Sequence, residues 1–176
     1  FPRPLIQVIF AILTLQKTTS INSVLKFYVP PNSISVAVIC SSNMNRSMEA
    51  HAFLRISYTQ NGLLHMLDRN RRIKPKPERF QLSKDKFDIL ITCEERVYDQ
   101  VIECMESRTQ EDSQPVHLIN IDIQDNHEEA TVGSFLICEL VTVLANSEDL
   151  DNDIDELLHE FESKFARTIL HTVLFY

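Results

Sequence analysis

Three short apolar runs rich in β-branched residues recur along the chain: ISVAVI at Ile34 to Ile39, FDILIT at Phe87 to Thr92 and VHLINI at Val116 to Ile121. Each is too short for an ordinary helix, and near-continuous apolar runs of this kind are what a strand buried on both faces requires. Between and after them the apolar positions fall at helical spacing. Helices are expected at Arg46 to Ile56, Gln60 to Arg69, Glu94 to Ser107 and Glu128 to Ala145, the third with Val97, Val101, Ile102 and Met105 on one face. A further helix is expected in SEDLDNDIDELLHEFESKFA, with Ser147 as N-cap, acids in its first turns, and Leu157, Leu158, Phe161 and Phe165 directed at the core. The closing TILHTVLFY is β-prone and adds a last strand. Strands alternating with helices make an α/β fold, a three-layer arrangement in which a mostly parallel sheet carries helices on both faces.

Composition narrows the picture. A chain of 176 residues, 44% hydrophobic and 24% charged, is one globular domain with room for a real core. Its 17 basic residues against 25 acidic ones leave a net charge of -8, which speaks against a general nucleic-acid binder. Any anion must therefore be caught locally. Cys40, Cys93, Cys104 and Cys138 form no C-x-x-C pair and have no metal-ligand spacing with histidine, so neither a disulfide framework nor a zinc site is expected. Reduced thiols fit a cytosolic or nuclear compartment. Only Gly62 and Gly133 occur, where about twelve glycines would be usual at this length. Either the fold needs few sharp turns or a turn-rich piece is absent. Arg3 and the apolar run Leu5 to Leu15 mimic a secretory signal, yet the run is too short for a membrane span and no small-residue cleavage pattern follows it. Residues 1–33 read instead as an atypical N-terminal extension.

The chemistry concentrates in Cys40-Ser41-Ser42-Asn43-Met44-Asn45-Arg46-Ser47. A strand ends on a thiol, five small or polar residues follow, and a helix opens at Arg46. Wrapped around one point at a helix N-terminus, the N–H groups of residues Ser41 to Ser47 would make a cradle suited to phosphate. Cys40 at the strand end would stand in that positive field as a thiolate nucleophile, Arg46 would clamp two phosphoryl oxygens, and Ser47 would donate to the sulfur as it departs. Asn43 and Asn45 tolerate left-handed backbone better than most residues. Of the four cysteines only Cys40 has an arginine six positions on. Phosphoryl transfer to a thiolate also needs an acid for the leaving alkoxide, and a loop after a later parallel strand is where such a sheet offers it. VHLINIDIQDNHEEA supplies Asp122 and Asp125 as candidates, with His127 nearby.

VICSSNMNRSMEAH, YTQNGLLHMLDRNRRIKPKPERF, DILITCEERVYDQV, LINIDIQDNHEEAT, FLICEL and RTILHTVLFY resemble the phosphatase family that acts on the C-terminal domain of the RNA polymerase II large subunit, from about Ile34 to Tyr176. The resemblance implies a low-molecular-weight tyrosine-phosphatase-like fold and removal of phosphate from serine in the polymerase repeats through a cysteinyl-phosphate. With the six histidines scattered along the chain, no metal and no cofactor are expected. The partners that the resemblance implies are the phosphorylated polymerase tail and a scaffold of the cleavage and polyadenylation machinery, without direct nucleic-acid or membrane contact, in the nucleus and also in the cytoplasm. Carried over residue by residue, Cys40 matches the nucleophile, Arg46 the phosphate-binding arginine and Asp125 the general acid, which chooses Asp125 over Asp122.

The chain also departs from that family. HAFLRIS runs straight into YTQNG where family members continue through a second strand, a glycine-bearing turn and another helix, so residues 34–176 are expected to form a phosphatase domain shortened after about residue 56, lacking the second strand. Met44 stands where the family has glutamine. Loss of that strand would leave the Cys40 strand partly unpaired, and Ser23 to Val29 with the turn Pro30 to Ser33 is expected to fold back as its antiparallel partner. The alternative is a catalytically impaired paralogue or a gene-model fragment acting at most as an interaction module. A small tyrosine phosphatase usually follows its acid with proline, and here Asn126 follows Asp125. An arsenate reductase would want further redox cysteines close to the site, and the other three lie in different segments.

Overall fold

The computed structural model describes residues 7–11, 34–41, 46–50, 78–109 and 112–176. Among the described residues, six strands form one sheet in the order β3-β1-β2-β4-β5-β6: β1 is Gln7–Ala11, β2 Val36–Cys40, β3 Glu78–Arg79, β4 Ile89–Thr92, β5 Pro115–Ile121 and β6 Ile169–Phe175. β2, β4 and β5 are the parallel set, β1 and β6 join it antiparallel on either side, and β3 pairs antiparallel with β1. The three apolar runs are therefore the sheet's parallel centre, and TILHTVLFY is the antiparallel edge β6. Helical residues 46–50 open α1, and α2 (Glu95–Glu106), α3 (His127–Asn146) and α4 (Leu150–Phe165) follow. The helix expected at Gln60 to Arg69 lies outside the described residues.

Alternation along the central strands sorts their side chains into two cores. Val36, Val38, Cys40, Ile89, Ile91, Cys93, Ile119 and Ile121 pack under α3 and α4, while Ala37, Ile39, Leu90, Val116 and Leu118 pack with α2, Phe80, Phe87 and Tyr176. Both faces are covered, which is why these strands read as unbroken apolar runs. At the far end from Cys40, the Ser35 hydroxyl and amide both donate to Asp88 Oδ2, at 2.7 and 2.6 Å, and hold β2 and β4 in register. The α2 core face holds Tyr98 as well as Val97, Val101 and Met105, with Ile102 only partly buried. In α4 the buried residues are Ile154, Leu158 and Phe161, with Leu157 and Phe165 partly buried.

Two expectations need correction. Ser147 is not the N-cap of α4: the helix starts at Leu150 with Asp149 as N-cap, and Ser147 ends α3, its hydroxyl accepting from Asp149 N–H and donating to Asp153. Nor does Ser23 to Val29 take the edge of β2. That edge is held antiparallel by β1 in the register Gln7↔Cys40 to Ala11↔Val36, and β4 holds the other edge. Residues 23–29 lie outside the described residues. The short apolar run that mimics a signal thus contributes backbone pairing, the role expected of a later segment. Few glycines are compensated in one place by Ala166, which ends α4 at φ 50° and ψ 43°, a left-handed cap where glycine is usual.

Gly133 is required by packing. A Cβ there would meet Ile123 at 2.4, 2.7 and 2.8 Å. Gly133→Ala is expected to destabilise the protein by about 1–3 kcal/mol through overpacking, despite alanine's better helix propensity. Urea denaturation should show that cost shrinking in an Ile123→Ala background.

At the opposite end of the sheet from Cys40, His117 Nδ1 lies 3.2 Å from His171 Nε2, His117 Nε2 lies 2.9 Å from Asp151, and His171 Nδ1 lies 3.5 Å from Asp155. Burial first, then His117, lowers the His171 pKa, with Asp155 offsetting part of the effect. The unfolded chain therefore takes up this proton before the folded one does. The contribution is full above the ordinary value of 6.5 and is lost as pH falls toward the folded value. Melting temperature should be lower at pH 5.5 than at pH 7.5, and His171→Gln should narrow that difference.

Candidate active site

The carboxyl ends of β2, β4 and β5 converge, and each delivers part of the site. β2 ends on Cys40, fully buried, whose Sγ lies 2.9 Å from the Ser47 hydroxyl at the start of α1. β4 runs out into Cys93 and Glu94, and Glu94 is the N-cap residue of α2. β5 leads through Asp122 and Ile123 to Asp125, and Asn126 caps α3 by accepting from Glu129 N–H at 2.8 Å.

Arg46 ties these ends together. It is only 2% exposed. Its Nη1 donates to the Ile123 carbonyl at 3.0 Å and the Cys93 carbonyl at 3.3 Å, and pairs with Glu94 Oε2 at 2.8 Å. Nη2 donates to Ser41 Oγ at 2.8 Å. Nε is buried without a hydrogen bond, its facing carboxylate being Asp125 at 3.6 Å. Nη1 is thus anchored to β4 and β5, while Nε and Nη2, the latter held by Ser41, form the edge whose parallel N–H groups have the geometry for bidentate contact with a phosphoryl group.

The surrounding charges keep that cation in place. Burial works against the Arg46 charge, but the hydrogen bond and charge of Glu94, aided by the Cys93 and Cys40 sulfurs, outweigh it and raise its pKa. Burial likewise opposes the Glu94 carboxylate, while hydrogen bonds from Arg96 and Arg46 and their charges hold its pKa below the usual value. The Cys93 thiol is pushed well above its ordinary value by burial and then by Cys40, with Arg46 pulling the other way.

The two candidate acids are in different positions. Asp122 Oδ1 accepts from the Glu95 N–H at 3.2 Å and the Asn120 amide at 3.1 Å, and Asn120 is itself held by Thr92 Oγ1 at 2.8 Å. It therefore serves the α2 N-terminus. Asp125 is 46% exposed and faces Arg46. The structure brings Cys40, Ser41, Arg46, Ser47 and Asp125 together, while Ser42, Asn43, Met44 and Asn45 lie outside the described residues. His127 opens α3.

Two residues at this site escape the sequence reading. Glu94 has no motif to announce it, although an acid directly after a strand end is where a buried arginine finds a partner. Cys93 lies in another segment of the chain, but the β2–β4 register carries it to the position beside Cys40.

A profile of the family described as Ssu72-like protein matches residues 55–176. A Bos taurus relative, named as the SSU72 phosphatase of the RNA polymerase II C-terminal domain, is 51% identical over 84% of this chain and 100% of its own length. The chain belongs to the Ssu72-like family. The Homo sapiens protein of that name is 50% identical over the same shares. Both alignments run over 194 positions, more than the 176 residues here, so these Ssu72 relatives carry positions that this chain lacks. The solved structure described as D. melanogaster Ssu72 with Symplekin, bound to a cis peptidomimetic phosphoserine peptide of the polymerase C-terminal domain, is 46% identical, covers 83% of this chain and 100% of that one, and superposes with a TM-score of 0.75. The fold class read from the sequence thus stands.

Because Glu94 neutralises a buried cation, Glu94→Gln should cost roughly 1.5–3 kcal/mol of stability in urea denaturation, the range for a hydrogen bond to a charged group. Weaker retention of inorganic phosphate in the same variant would accompany a loosened Arg46.

Proposed function

We propose that this chain is a cysteine-dependent protein phosphatase that removes phosphate from serine in the C-terminal repeats of the RNA polymerase II large subunit. The observation that carries the reading is Arg46, buried beside a strand-end thiol, with Nε making no hydrogen bond and Nη2 held by the Ser41 hydroxyl. The names of the relatives and the phosphoserine peptide of the neighbouring structure support the substrate class.

In the proposed chemistry the Cys40 thiolate attacks phosphorus as the Arg46 edge holds two of its oxygens through the transition state. Asp125 gives its proton to the departing serine oxygen, leaving phosphate on Cys40. Water then attacks that phosphorus, Asp125 takes its proton, and Ser47 donates to the sulfur as it leaves. The reading assigns the phosphate cradle to Ser41, Ser42, Asn43, Met44, Asn45, Arg46 and Ser47, the residues that run from the thiol into the helix start. Asn126 after the acid suits this reading, since its side chain caps α3 and so sets where Asp125 begins the turn.

Symplekin in the neighbouring structure supports a scaffold of the 3′-end processing machinery as a partner, and together with the polymerase tail it supports a nuclear site of action. A catalytically impaired relative is the second reading, favoured by the positions this chain lacks against its relatives. Incubation with an aryl phosphate and acid quenching separates them: phosphocysteine on Cys40 supports the enzyme, and its absence overturns it.

Asp125→Asn should slow hydrolysis of a phosphoserine peptide by about 10²–10⁴ but of an aryl phosphate, whose leaving group needs little protonation, far less. Asp122→Asn should mainly lower the melting temperature. Equal losses on both substrates for Asp125→Asn would remove it from the acid role.

A further inference from the structure

Cys40 and Cys93 stand at the ends of adjacent parallel strands. The β2–β4 register runs to Ile39↔Thr92, so the next residue on each strand is a cysteine. Alternation sends both to one face, because Val36, Val38 and Cys40 from the first strand share a core with Ile89, Ile91 and Cys93 from the second. Neighbouring strands lie about 4.8 Å apart, inside the roughly 4.4–6.8 Å between Cα atoms that a disulfide spans. Both are reduced thiols. Cys104 packs against the opposite core, and Cys138 lies three turns into α3 with its thiol pushed up to about 11 by burial.

We propose that Cys93 is the resolving thiol of Cys40: oxidation by a peroxide ends in a reversible Cys40–Cys93 disulfide that switches the site off and spares the nucleophile from over-oxidation. This rests on the reading of Cys40 as a thiolate nucleophile. The Cys40 sulfur attacks one peroxide oxygen, the O–O bond breaks, and hydroxide leaves a sulfenic acid behind. The Cys93 sulfur then attacks the Cys40 sulfur. An S–S bond forms, the S–O bond breaks, and the Cys93 proton departs with the hydroxyl as water. Two electrons pass from the two thiols to the peroxide, and a dithiol returns them by exchange. Burial and Cys40 hold the Cys93 thiol above its ordinary pKa, so its proton has to pass to the leaving hydroxyl as the S–S bond forms. Protonation also keeps Cys93 from competing with phosphate for Arg46 in the reduced protein. Peroxide is smaller than a phosphate monoester and reaches Sγ by any path open to the substrate.

The test treats the full chain with hydrogen peroxide, alkylates the remaining thiols and maps peptides without reductant. The expected product is a peptide crosslinked through Cys40 and Cys93, with Cys104 and Cys138 alkylated, and it disappears after dithiothreitol. Aryl phosphatase activity should fall with its formation and return to most of its starting value with the dithiol. In Cys93→Ser and Cys93→Ala the same peroxide dose should leave Cys40 as sulfinic acid and activity that dithiothreitol does not restore. Sulfinic Cys40 without a crosslink in the wild-type chain would overturn the proposal, as would equal recovery in the variants. The peptide map reads the crosslink without any activity, so its failure is distinguishable from a failure of the phosphatase reading, which the phosphocysteine trap decides.

Discussion

A guanidinium only 2% exposed to water has to be neutralised and hydrogen-bonded, and the site is arranged around meeting that demand for Arg46. Its partners come from every end of the parallel set: Ser41 after β2, the Cys93 carbonyl and Glu94 after β4, and the Ile123 carbonyl after β5. An uncompensated buried charge costs about 3–5 kcal/mol, a large part of a domain's stability. The three strand ends are consequently held in one arrangement by the same arginine that the proposed function assigns to phosphate.

That dependence reaches into the cores. Ile123, whose carbonyl accepts from Arg46, is the side chain that fills the space over Gly133 in α3. A methyl group added on the helix would thus press on a residue that holds the arginine. Asp122 and its Thr92–Asn120 support fix the α2 N-terminus beside Glu94 in the same way. Residues with no chemistry of their own decide where the chemical ones sit.

The parallel register adds a second consequence. Once Ser35 and Asp88 lock β2 to β4 at one end, two cysteines meet at the other. A one-residue slip would turn one of them to the opposite face. The pairing is therefore a property of the sheet, with Cys40 and Cys93 placed side by side by the same backbone geometry.

The sequence by itself determined the elements and the contiguous part of the candidate site. Apolar runs flanked by helical periodicity have a short-range physical cause, burial on both faces, so β2, β4, β5 and the four helices' described parts were legible within a few residues. Cys40, Arg46 and Ser47 were legible for the same reason: a strand end, a loop and a helix start are contiguous in the chain. What only the tertiary structure decided are choices between segments that are distant in sequence but compete for one place. Gln7–Ala11 rather than Ser23 to Val29 takes the edge of β2, because backbone pairing is sequence-tolerant and many apolar segments could serve. Asp149 rather than Ser147 caps α4, since the serine hydroxyl is already engaged by Asp149 and Asp153. The surroundings of the two acids are likewise a tertiary matter, Arg46 opposite Asp125 and a helix N-terminus opposite Asp122. Glu94 and Cys93 became part of the site through strand register, and register is set by pairing across the sheet, which no local pattern encodes.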